Sequence, residues 1–120
     1  MVDVANPGAP RILGSCETPG WSCDIAVSGE LAFVADGESL LVFDVAHPRN
    51  PVQLGSYDTP SWACGVAAYR DCAGVVDGEG GYLMIGVSNP RQPVLSGRFR
   101  TPAWAYGVTF HDSLALLADG

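Results

Sequence analysis

Three tryptophans and five carboxylates hold most of the chemistry this sequence can offer. Trp21, Trp62 and Trp104 each end a Thr-Pro-x-Trp segment, and Asp36, Asp77 and Asp119 each open an Asp-Gly pair. Glu38 and Glu79 follow the first two pairs. Aromatic faces beside acidic groups suit cations, sugars or a peptide, since ring faces and carboxylates both attract positive charge. The same residues have a plainer use. Each Trp can pack between neighbouring elements, and each Asp can accept the backbone N–H groups of a turn. Strict repetition favours that architectural use.

Other reactive groups give less. Asp24 stands where the other copies of its segment have Gly65 and Gly107, so it could project inward and ligate a cation. His47 and His111 fall in a loop and a turn, and neither has a sequence neighbour that would orient it as a base. Cys16, Cys23, Cys64 and Cys72 do not show a metal-binding spacing. Cys16 and Cys72 occupy columns held elsewhere by hydrophobes. Cys23 and Cys64 lie at equivalent points of neighbouring repeats, beyond the ~7 Å Cα separation a disulfide allows. All four read as reduced. No catalytic residue, metal site or cofactor is expected.

These groups recur because the chain is a repeat. Residues 1–37, 42–78 and 84–120 align without gaps, and ten columns are identical in all three copies. The identities include Val4, Pro7, Pro10, Gly14, Thr18, Pro19, Trp21, Ala32, Asp36, Gly37 and their counterparts. The Pro-x-x-Pro spacing (Pro7/Pro10, Pro48/Pro51, Pro90/Pro93) matches a peptide motif, but its fixed place in every copy reads as a rigid loop. Within one unit, Cys23–Val27, Leu31–Ala35, Leu40–Val45 and Val52–Tyr57 are short apolar runs bounded by Gly, Pro or Asp, which is the pattern of strands. Ser28-Gly29 and Asp36-Gly37 supply the tight turns. Four strands in about 41 residues, repeated and apolar on both faces, describe β-propeller blades. Leucine-rich solenoids have shorter repeats, and helical repeats would not tolerate this density of Gly and Pro. The expected fold is all-β: residues 1–120 form one partial propeller domain of about three four-stranded antiparallel blades.

Leu40-Leu41-Val42-Phe43-Asp44, then Val45-Ala46-His47-Pro48, then Leu54-Gly55-Ser56-Tyr57-Asp58-Thr59-Pro60, resembles the LVIVD-repeat propellers. The likeness covers nearly the whole chain. It departs at Gly86, which replaces the motif Asp in the third copy, and in the first copy, which keeps only Met1-Val2-Asp3. The resemblance implies a bacterial or archaeal protein, often at the cell surface, of a family mostly without assigned activity.

The chain opens on the end of a third strand and closes on a second strand, so two blades are complete and the ends make most of another. Propellers have about four to eight blades. The expected partner is therefore a second copy of the chain, completing a six-bladed ring, or the remaining blades of a longer chain. A net charge of −7 with no Lys argues against nucleic acid. No apolar run approaches the ~18 residues of a membrane-spanning helix, and the residues after Met1 lack the regions of a signal peptide. The expected function is a non-catalytic binding scaffold that contacts a protein or glycan through its loop rim, at Trp21, Trp62, Trp104, Asp36, Glu38, Asp77, Glu79 and Asp119. The alternative is a piece of a six-bladed hydrolase with a metal in its channel, for which only Asp24 among inner-strand residues qualifies.

Overall fold

The computed structural model describes residues 1–120. Every regular element is a strand. A short pair, β1 (Val2–Asp3) and β2 (Arg11–Ile12), is followed by a first blade of β3 (Ser22–Ser28), β4 (Leu31–Asp44) and β5 (Val52–Ala63). The second blade is β6 (Gly65–Tyr69), β7 (Cys72–Val76), β8 (Tyr82–Gly86) and β9 (Val94–Phe99), antiparallel and in sequence order. A last pair, β10 (Ala105–His111) and β11 (Leu114–Asp119), packs against the second blade.

The expected second and third strands of the first blade appear as one 14-residue run, β4. A straight strand of that length would span about 46 Å, more than the 42 Å long axis of the molecule. The run doubles back instead. Gly37 has φ 69°, and the Val45 N–H reaches the Glu30 carbonyl at 2.8 Å. The second blade has the counterpart, Val87 N–H to Asp71 C=O at 2.8 Å, around the separate strands β7 and β8. The first half of β4 pairs with β3 and the second half with β5. Both blades are therefore four-stranded, joined through positive-φ glycines Gly37 and Gly78. The other hairpin turn is also left-handed in every copy, at Gly29, Arg70 and Asp112 (φ 59°, 53° and 50°).

The core lies between the two complete blades. Phe33, Ala35, Leu40 and Val42 meet Val66, Ala73, Val75, Leu83 and Ile85, all buried. Burial of large aliphatic side chains contributes roughly 1.5–3 kcal/mol each, so this seam dominates stability. Ala32, Val34, Leu41 and Phe43 form a smaller cluster on the other face of the first blade. The three leading strands neighbour one another: Asp24 Oδ2 accepts the Val66 N–H at 3.0 Å, and a Cβ on Gly65 would lie 3.1 Å from the Tyr106 carbonyl oxygen. The blades thus follow one another as an arc of a propeller.

Candidate functional site

Each Asp-Gly turn is tied to the loop that feeds the same blade. Asp36 Oδ2 accepts the Gly20 N–H at 2.7 Å, Asp77 Oδ2 the Ser61 N–H at 2.8 Å, and Asp119 Oδ1 the Ala103 N–H at 3.2 Å. The donor is always the residue before the Trp. Asp36 and Asp77 are 1% and 0% exposed. Their carboxylates close the loops and are not open to a ligand. Asp119, on the terminal pair, closes its loop while exposed.

The three clasps differ by one hydroxyl. Asp36 Oδ1 accepts the Ser22 hydroxyl at 2.5 Å, and Ser22 in turn meets the Thr18 hydroxyl at 2.9 Å. Ala63 and Ala105 occupy the column of Ser22. In the second blade, Asp77 Oδ1 and Thr59 Oγ1 are left buried without a partner. Burial pushes the Asp77 carboxyl above its usual range. That outweighs the downward pull of the neighbouring Thr59 hydroxyl (outside hydrogen-bonding geometry), the Ser61 N–H and the Arg98 guanidinium.

The tryptophans sit over the turns of the preceding blade. A Cβ on Gly37 would lie 3.4 Å from Trp62 Cη2, and one on Gly78 2.7 Å from Trp104 Cζ2. Trp62 and Trp104 are accordingly 38% and 37% exposed, while Trp21, which has no such turn beneath it, is 75% exposed. Each seated indole is a wedge on one side and open on the other.

Trp21 and Trp62 flank an open depression of about 440 Å³, with Glu38, Ser39, Asp58 and Thr59 between them. Glu38 and Asp58 are exposed carboxylates. Asp58 was not among the sequence candidates. It precedes Thr59 in the Trp loop, and the pairing of Ser39 with Asp58 brings it across the sheet to the Asp-Gly turn. Its counterparts Glu17 and Arg100 share no common chemistry, which hid it. Glu79 is exposed but does not line the depression.

Asp24 does not point to a cation. Its carboxylate accepts the Ile25 N–H at 2.9 Å as well as that of Val66, linking the leading strands of the two blades. No three His, Cys, Asp or Glu side chains converge in a metal-holding group. All four cysteines are free thiols, and Cys16, read from its column as a core substitute, is exposed.

A family model described as the LVIVD repeat matches residues 19–59 and again 61–101. Each match begins in a Thr-Pro-x-Trp loop and runs through one complete blade, ending at the next loop. The chain belongs to the LVIVD repeat family. No curated protein matches it. As an LVIVD protein it is a β-propeller-type repeat domain, and the two matched units are its two complete blades.

Proposed function

We propose that this LVIVD protein is a non-catalytic scaffold that contacts a protein or glycan through its loop rim, with the Trp21–Trp62 depression as the contact point. One observation carries the reading: two indoles with open faces flank Glu38 and Asp58, both exposed and neither in a salt bridge. Two negative charges beside aromatic faces favour a protein segment bearing Arg or Lys over a neutral sugar. The hydrolase alternative draws no support from Asp24, whose carboxylate is taken up by backbone N–H groups.

Tryptophan fluorescence during titration tests the reading, with an Arg-rich peptide and a neutral oligosaccharide as separate probes. Saturable quenching by the peptide, weakened at least tenfold by the double change Glu38→Gln and Asp58→Asn, is expected. No saturation with either probe, or peptide binding indifferent to those changes, overturns it. Saturation with the sugar alone would keep the rim but replace the basic segment with a glycan.

A further inference from the structure

Both walls of the Trp21–Trp62 depression are fixed by the Asp-Gly turn of the first blade. Asp36 accepts the Gly20 N–H at 2.7 Å and so holds the Trp21 loop, while Trp62 rests on Gly37. Glu38 leaves that same turn, and the pairing of Ser39 with Asp58 brings Asp58 in from the neighbouring strand. The two carboxylates therefore reach the depression from separate strands, and neither is in a salt bridge. Thr59, also on the wall, is 8% exposed, and its Oγ1 has no hydrogen-bond partner. The second blade differs at one column. Glu79 follows its Asp-Gly pair as Glu38 follows the first, but Arg100 stands in the column of Asp58. A Cβ on Gly81 would lie 3.1 Å from Arg100 Cα, so Arg100 stands beside the second turn. At these two positions the first blade carries two negative charges, and the second one of each sign.

We infer that the depression takes a single arginine side chain of a partner protein, in preference to lysine, and that of the two complete blades only the first offers such a site. This rests on the reading of the rim as a contact for a basic segment. A guanidinium is planar and weakly hydrated, so it can lie flat against an indole at little desolvation cost. An ammonium reaches the same carboxylates but offers the rings no flat face and gives up more hydration. The N–H groups of a guanidinium diverge in one plane, which suits carboxylates arriving from two strands. Donors remain for the Thr59 hydroxyl, which rotation about its Cα–Cβ bond would present to the depression. In the second blade, Arg100 supplies from within the chain the charge that a partner brings to the first, and it repels another.

Calorimetric titration with two peptides, alike except that one carries Arg where the other carries Lys, tests this. The Arg peptide is expected to bind once per chain, at least about fivefold more tightly than the Lys peptide at equal ionic strength. Asp58→Arg, which copies the second blade, should abolish binding of the Arg peptide, and the isosteric Asp58→Asn should weaken it. Trp21 is 75% exposed, so Trp21→Leu should leave the far-UV spectrum that of strands. It should also bring the two peptides within about twofold of each other, because a flat wall is lost. Equal wild-type affinity for the two peptides overturns the inference while leaving the rim reading intact, as does a stoichiometry of two. An Arg preference that survives Trp21→Leu, or binding indifferent to both Asp58 changes, also overturns it. Binding of neither peptide overturns the inference and the rim reading together.

Discussion

The indole of Trp62 rests on Gly37, the glycine of the preceding blade's Asp-Gly turn, with Cη2 3.4 Å from where a Cβ would stand. Trp104 rests on Gly78 in the same way, more tightly. One conserved geometry thus links a positive φ in one blade to an aromatic wedge from the next.

Removing either side of that contact should destabilise the fold. Full burial of a large aromatic makes its loss cost about 3–5 kcal/mol. Trp62 keeps 38% of its surface exposed, so Trp62→Ala should cost roughly 2–3 kcal/mol. Gly78→Ala combines φ 52° with a Cβ 2.7 Å from Trp104, and should cost at least about 2 kcal/mol. Urea melts of the two variants measure both.

The unpartnered Asp77 oxygen predicts a pH dependence. Its folded pKa is raised, chiefly by burial. Between the unfolded and folded values the native chain holds a proton that the unfolded chain has released, so stability falls as pH rises through that window and stays reduced above it. Ala63→Ser would supply the hydroxyl that Ser22 gives Asp36. It should add roughly 1–2 kcal/mol near neutral pH and flatten the slope. Urea midpoints at several pH values would show it, and equal slopes for the two proteins would count against this account of the site.

Glycine at position 55 is required by a neighbour rather than by its own backbone. Gly55→Ala drives a methyl to 2.4 Å from the Pro90 carbonyl oxygen, so the loop or the strand must shift. A loss of about 1–3 kcal/mol is expected from overpacking of this kind, readable as a lower thermal midpoint.

Thiol reactivity should rank by exposure and local charge. Cys16 and Cys23 are exposed. Burial, the Asp71 charge and a weak contact to that carboxylate all push the Cys72 thiol up. Only the thiolate attacks an alkylating reagent, so Cys72 should be labelled more slowly than Cys16 at pH 8. Mass spectrometry after timed quenching gives the order.

Much of the fold was readable because repetition multiplies weak signals. The positions of strands, the Asp-Gly turns and the shared rim of Trp loops and turns all follow from columns that recur. What a column does not show is its neighbour. Ile25 and Val66 are equivalent aliphatics, yet one is 60% exposed and the other 4%, because only the second has a blade against it. Repetition pointed to an architectural use for Asp36 and Asp77 as acceptors of turn N–H groups, but not to the donors, which belong to a loop 16 residues away. The 14-residue run of β4 was legible as two strands, and its turn at Gly37 is present. The part Asp24 plays was not legible, because its partner, Val66, is 42 residues distant.

The left-handed turn that follows each leading strand has a bearing on folding order. Gly29 adopts that torsion at no steric cost, whereas Arg70 and Asp112 hold it against a penalty of roughly 1–2 kcal/mol. The first hairpin can therefore start from its turn and zip outward. The β6–β7 hairpin must gather its strands before its turn is tolerable, so its closure waits on the seam it packs against. Arg70→Gly should consequently slow unfolding more than it speeds refolding.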